Sequence, residues 1–471
     1  MKNFRIFAIL CIGNVSLFLT GCFGGRPTGY FQEESAITTR GGFGENGVFH
    51  DIIYNPEAIA LNFPGYIVGL DKGRRHAVGN GVIYPDSNLE DQRGMRNIKE
   101  RMRSDPKIHY ISHVVRDEGK PYGQDNCLIY TMYSQWGSSK INAGDAPAKM
   151  CFKDQANTGK SQTAQVDSYK ALDLLTTELQ QTIKDKKSKD GHGYTHVIVA
   201  SMGWNTPQIK AIQNFNSIVP HLKNAAGKSR FEPLFIGVTW PSVWSSQWLD
   251  PLIKFASYKA KANDADEVGT IWISEIIDRI KFVAPPETML VGIGHSFGAR
   301  AMFSAICGES ISGKARLSKR KWNTLIGWQS AFSINRFTEN GSGDGFSYSK
   351  GCLDKVDTIV LTASEYDTAV NSAFWADMAG SRDQWKEVCS GLLKEGNKIK
   401  INGKVNCITS DPDKKSESES EIDIKRGYIN YVDASKIVLL SQPNTGGGAH
   451  NDIYRAVHGK LNWKAISIPP N

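Results

Sequence analysis

The chain has 471 residues, 40% of them hydrophobic and 22% charged, with a formal net charge of +8. That composition belongs to a globular protein with a sizeable core, built as one large domain with insertions or as two smaller ones. Lys2 and Arg5 lie in an amino-terminal leader, and without them the charge falls by two, to +6, which is mild for this length and gives no ground for a nucleic-acid partner.

The leader, residues 1–21, opens with Lys2 and Arg5 and continues through an apolar run from Ile6 to Leu19, interrupted by Gly13, Asn14 and Ser16. The run is shorter than the roughly 20 residues that a spanning helix needs. It ends in Leu19-Thr20-Gly21-Cys22. This ending resembles the lipobox of bacterial lipoproteins. The resemblance implies that Cys22 is the lipid-attachment residue and that acyl chains tether the mature protein to an extracytoplasmic membrane face. Phe23 follows the cysteine, so there is no aspartate of the kind that retains some lipoproteins at the inner membrane. Outer-membrane residence is then expected in a Gram-negative source. Two other readings stay open: a secretory peptide with a coincidental cysteine, and an uncleaved anchor. Residues 22–45, rich in Gly, Thr and Arg, read as a tether.

Setting aside Cys11 and Cys22 leaves Cys127, Cys151, Cys307, Cys352, Cys389 and Cys407. An even number in an oxidising compartment allows disulfides, and the short-range pairs Cys127–Cys151 and Cys389–Cys407 are expected, with free buried thiols as the alternative. No Cys/His spacing points to zinc, and no metal or organic cofactor is expected.

Residues 46–164 alternate short apolar runs, "AIALNFPGYIVGL" and "CLIYTMY", with Gly, Pro and Asp turns. They read as strands and loops that pack on the sheet or contribute its first strands. "RGMRNIKERMR" is a basic helix-like stretch, either a solvated face or a contact for lipid headgroups. From residue 165 to the end, helix and strand alternate. Leu172, Leu175, Leu179 and Ile183 repeat at helical spacing, and "HVIVA" follows as a buried strand. "NTPQIKAIQNF" opens a helix with Asn205 or Thr206 as cap and Pro207 in its first turn. "LFIGVTW" is the next strand, Val268, Trp272, Ile276 and Ile280 mark another helix, and "MLVGI", "TLIGWQ", "TIVLT" and "KIVLL" are further strands.

Short, nearly all-apolar strands separated by helices predict an α/β fold: a mostly parallel sheet with helices on both faces. In such sheets functional groups gather at the carboxyl ends of the strands. Residues 241–270 are expected to insert as a cap, since Trp240, Trp244, Trp248 and Leu252 recur at four-residue spacing. Such a stripe reads either as core or as an apolar cover for a bound acyl group. A Gly/Ser loop spans 341–351, and 371–434 reads as an insertion with an extra helix and the charged tract "DPDKKSESESEIDIKR".

The chemistry gathers on "MLVGIGHSFGARAMFSAI", residues 289–306. Gly-x-Ser-x-Gly is weak alone. Here a strand precedes it and a helix follows, the context of a nucleophile elbow, where glycines let the chain crowd its neighbours and leave a serine hydroxyl clear. Ser296 is the nucleophile candidate. A serine needs a base, and the base an orienting acid. Only His450 and His458 follow Ser296 in sequence. His450 sits in "SQPNTGGGAHND" beyond a strand and is the candidate base, whereas His458 lies beside a helical apolar stripe and reads as structural. His295 reads as locked on the turn and pointing away. The loop after "TIVLT" offers Glu365 and Asp367, and Asp367 is preferred because it lies farther into the loop. Two backbone donors should hold an oxyanion, one of them the N–H of Phe297.

With these features, residues 165–465 resemble an α/β-hydrolase. In many members the loop after the first of these strands reads His-Gly-x, and here it reads Met202-Gly203-Trp204. The resemblance implies Trp204 N–H as the second oxyanion donor, without the side-chain support of the usual histidine. It implies a membrane-tethered serine hydrolase, esterase-like or lipase-like, that cleaves a lipid or small ester through an acyl-enzyme. The alternative is a lipoprotein of this fold that binds or scaffolds without catalysis.

Overall fold

The computed structural model describes residues 60–72, 109–120, 125–131, 150–152, 164–203, 206, 208–240, 262–308, 317–338, 347–348, 352–371, 377–390, 401–409, 422–440 and 448–469. The leader, Cys22, the tether, the basic stretch, Trp204 and the tract 410–421 lie outside them. Among the described residues no helix is long and apolar enough to cross a membrane.

The strands are β1 (Pro64–Lys72), β2 (His109–Glu118), β3 (Cys127–Thr131), β4 (His196–Ser201), β5 (Pro233–Thr239), β6 (Met289–His295), β7 (Trp322–Trp328), β8 (Val356–Ala363), β9 (Lys404–Thr409) and β10 (Tyr428–Asp433). They form one sheet in the order β3-β2-β1-β5-β4-β6-β7-β8-β10-β9. Only β2 runs against the rest: it is antiparallel to β1 and β3, and every other pairing is parallel. The fold is therefore α/β with a mostly parallel sheet.

The main helices are α1 (Ala164–Asp190), α2 (Gln208–Ala226), α3 (Ser274–Val283), entered through a π-helical turn (Val268–Ile273), and α4 (Phe297–Ile306). The short α5 (Cys352–Lys355) and α6 (Thr368–Asn371), then α7 (Arg382–Ser390) and α8 (Ala456–Ile466), complete the set. Leu172 of α1, Ile276 of α3 and Met302 of α4 share one core with Val197 and Val199 of β4. Phe215 of α2 and Leu461 of α8 share the opposite core with Ile198 and Ala200 of the same strand. Both faces are thus covered, and a strand buried on both faces must be apolar at successive positions. The helical repeat Leu172, Leu175, Leu179 and Ile183 is buried along α1.

The chain passes from β4 to β5 on one side and then crosses back to place β6 on the other side of β4. In open α/β sheets such a reversal marks where ligands bind, here at the carboxyl ends of β4 and β6.

Two expectations need correction. Ala262–Thr270, assigned above to a cap, is helical and buried, with Ala262, Ala265 and Val268 in the core. A Cβ on Gly269 would fall 2.3 Å from Ala301 O, so this segment crosses the backbone of α4 at a distance only glycine permits. The Trp244–Leu252 part of the stripe lies outside the described residues, while Trp240 is buried. Second, "KIVLL" is not a strand. The N–H groups of Ile437 and Val438 both bond Ala434 O, closing a turn straight after β10. The last strands instead lie inside 371–434, as β9 and β10, flanked by α7. The expected disulfides Cys127–Cys151 and Cys389–Cys407 are both present, and a further one joins Cys307 to Cys352. It ties the end of α4 to α5, just before β8. Cross-links of this kind each contribute about 2–4 kcal/mol by restricting the unfolded chain.

Candidate active site

The turn between β6 and α4 is set by backbone crowding. Ser296 has φ 56° and ψ −124°, outside the regions that L-residues favour. A Cβ on Gly294 would lie 2.4 Å from Ala299 Cα, and one on Gly298 would lie 2.2 Å from Ser201 O. Real Cβ atoms do not approach so closely, so the glycine spacing follows from sterics. The strained serine is held by its own backbone: its N–H donates to Trp328 O at 2.9 Å, and its carbonyl accepts from Ala331 N at 3.2 Å. The next residue, Phe297, opens α4 at the positive end of its dipole.

The end of β4 lies directly against this turn. A Cβ on Gly203 would fall 2.4 Å from Ser296 Cβ and 3.0 Å from its Oγ. Met202, in place of the histidine that the α/β-hydrolase resemblance implied, is fixed by other means. Its carbonyl accepts from Trp240 Nε1 at 2.9 Å, and its sulfur accepts from Tyr454 Oη at 3.5 Å. The support expected to be missing at this loop is therefore supplied by an indole from the end of β5 and a phenol from the segment before α8. Trp204, the candidate second oxyanion donor, lies outside the described residues.

Asp367 and His450 meet. His450 Nδ1 donates to Asp367 Oδ2 at 2.7 Å, with Asp367 fully buried and His450 partly exposed. Their loops are stitched together by backbone: Ala449 N donates to Tyr366 O at 2.8 Å, and Asp367 bridges Gly448. Because an ionised carboxylate only accepts, the Nδ1 proton is fixed and Nε2 is left as the basic atom. Glu365, the other acid considered, faces away and pairs with Arg382, which also bonds Asp433.

His295 links the serine to this pair. Its Nε2–H donates to the backbone carbonyl of His450 at 2.9 Å, and the two rings lie 4.7 Å apart, centroid to centroid. Its ring thus points at the backbone of His450. Burial, and then the nearby His450, push the His295 pKa well below the ordinary value, so it stays neutral. Among the described residues no hydrogen bond joins Ser296 Oγ to His450. Such contacts are commonly loose without substrate and close in the Michaelis complex.

His458 is structural. It is buried, its Nδ1 accepts from Arg455 N at 2.8 Å and its Nε2 donates to Ile437 O at 3.0 Å. Burial pushes its pKa down to about 4. Two residues that the sequence did not flag complete the acid's surroundings: Gln329, just after β7, and Thr362, near the end of β8. A lone amide after an apolar strand carries no sequence signal of such a role.

No protein-family model and no curated protein matches the chain. Among solved structures it is similar to a Trichoderma reesei cutinase in complex with a C11Y4 phosphonate inhibitor, at 15% identity over 40% of this chain and 74% of that chain, with a TM-score of 0.18. At that score the likeness adds nothing to the assignment of the fold, which rests on the sheet's own topology.

Proposed function

We propose that the protein is a serine hydrolase of carboxylic esters, with Ser296 as nucleophile, His450 as base and Asp367 as orienting acid. The observation that carries this reading is the 2.7 Å Asp367–His450 hydrogen bond at the end of the sheet where Ser296 stands on a strained turn. His450 Nε2 takes the Ser296 proton as Oγ attacks the ester carbonyl. The N–H groups of Phe297 and Trp204 hold the developing oxyanion. The imidazolium then gives its proton to the leaving alcohol, and Asp367 offsets its charge while it exists. Water, deprotonated by the same imidazole, cleaves the acyl-enzyme and restores the serine.

The lipobox-like ending supports a tether through lipid on Cys22, so the substrate is an ester met at or near a membrane face. Cys22→Ser should abolish lipid modification and shift the protein out of the membrane fraction. Unchanged partitioning and mass would remove the tether from the account.

The catalytic reading is tested by hydrolysis of chromogenic esters over a range of acyl lengths. Wild type should turn them over and Ser296→Ala should not, with the melting temperature moving by only a few degrees. Activity retained in Ser296→Ala would end the assignment. A folded wild type inert toward every ester would favour a binding role for the fold.

A further inference from the structure

The Asp367 carboxylate accepts from four donors. Oδ1 takes the N–H groups of Ala369 at 3.1 Å and Val370 at 3.2 Å, the start of α6. Oδ2 takes His450 Nδ1 at 2.7 Å and Gln329 Nε2 at 3.0 Å. The backbone pair sets where the carboxylate sits, and Gln329 shares the oxygen that receives the base.

The amide's orientation follows from Thr362. Its Oγ1 accepts the backbone N–H of Gln329 at 3.0 Å, so its own proton goes to Gln329 Oε1 at 2.9 Å. With Oε1 committed as acceptor, the NH₂ end must face Asp367. All three side chains are fully buried. Gln329 itself has φ 44°, a backbone conformation that residues with a Cβ seldom adopt. A strained backbone and a two-bond clamp therefore aim one neutral donor at one carboxylate oxygen. Neutrality matters: an arginine or lysine there would cancel the charge that His450 uses, whereas an amide orients the carboxylate and leaves its charge intact.

We propose that Gln329, held by Thr362, is a positioning residue that fixes the Asp367 carboxylate for His450. The proposal rests on the hydrolase reading above for its effect on rate, but its effect on His450 can be read without turnover. Among the described residues, the titratable groups around His450 are Asp367 on Nδ1, His295 at 4.7 Å and, behind His295 at 6.2 Å, Tyr454.

The test uses the full-length chain and the variants Gln329→Met, Thr362→Val, Thr362→Ser and the Gln329→Met/Thr362→Val double. His450 is titrated by NMR, its signal assigned by loss in His450→Gln. Removing a donor from Oδ2 leaves the carboxylate more basic, so in Gln329→Met the His450 pKa should rise by about half a unit. The acidic limb of kcat/KM should rise with it, kcat should fall about tenfold and KM should stay within twofold. Thr362→Ser should behave as wild type. The double variant should be no worse than Gln329→Met alone, because Thr362 acts through Gln329. An unmoved His450 titration, or losses that add in the double, would overturn the proposal and leave an ordinary core contact. If Gln329→Met does not fold, Thr362→Val carries the same readouts. A wild type that hydrolyses no ester, with a His450 titration that still moves in Gln329→Met, would overturn the hydrolase reading and leave the Gln329 clamp standing.

Discussion

The two halves of the site are held in different ways. On the Ser296 side the geometry is steric. Gly294, Gly298 and Gly203 each lie where a Cβ would strike backbone or the serine itself, and no polar side chain is needed to set the turn. On the Asp367–His450 side the geometry is polar. Backbone N–H groups, the Gln329 amide and the His295 imidazole fix two loops that come from different strand ends. A steric constraint is local, tolerates no added atom and ignores pH. A hydrogen-bonded one spans distant segments, and can be loosened one donor at a time or by protonation.

The largest expected effect falls on the polar half. Asp367→Asn should lower kcat on a chromogenic ester by about 10⁴, the loss seen when the acid of a serine protease triad is neutralised, because the tautomer and the charge partner of the base are both lost. Glu365→Gln should cost little, since Glu365 pairs with Arg382 near the surface. A crippled Glu365→Gln beside a near-normal Asp367→Asn would reverse the assignment.

Acid should next weaken the fold as a whole. Burial pushes His196 and His458 down to about 4, and His295 lies well below its ordinary value. Above pH 6.5 these groups are neutral whether the chain is folded or not. As pH falls from 6.5 toward 4 the unfolded chain takes up protons that the folded chain refuses, so stability drops. Asp117, raised to about 6 by burial, works in the opposite direction, because the folded chain holds a proton there that the unfolded chain has lost. His196 and His458, offset in part by Asp117, should together cost about 2 kcal/mol between pH 7 and pH 5, and His295 adds to the loss in the same direction, read from urea unfolding at the two pH values. A flat profile would mean that these histidines are not buried as described.

Gly298→Ala tests the steric half. Its Cβ would meet Ser201 O at 2.2 Å, and the only relief is to part the elbow from the end of β4. A displacement of that kind should lower kcat about 100-fold, with a smaller loss in melting temperature. Near-normal activity would show that the turn adapts. The smallest effect is expected at the link between the halves. His295→Phe keeps a ring beside His450 but removes the donor to its carbonyl, and should lower kcat about tenfold while KM holds.

The same contrast explains what could be read from the sequence. The elbow was legible because its constraint spans five residues and leaves a glycine signature. The apolar strands β4 to β8 were legible because a strand buried on both faces has few residue types to choose from. The histidine was narrowed by chain order. The amide at Gln329 was not legible: its bonds reach 33 and 38 residues away, and nothing local marks them. The strand β10, "YINYVD", lacks a continuous apolar run because Asn430 interrupts it. That asparagine is fully buried, and its amide donates to Ile359 O at 3.1 Å and Lys425 O at 2.9 Å. A short apolar run such as "KIVLL" fits a buried turn as well as a strand. The cap expected over 241–270 rested on the stripe from Trp240 to Leu252, most of which lies outside the described residues; the part that is described, 262–270, lies in the core.

The most direct test of the central claim is the site and requirement of labelling by a fluorophosphonate, which reacts only with an activated serine. Peptide mapping of the labelled full-length protein should find the adduct on Ser296, and His450→Gln should lose the label while keeping its fold by circular dichroism. An adduct on another serine, or undiminished labelling of Ser296 in His450→Gln, would contradict the account.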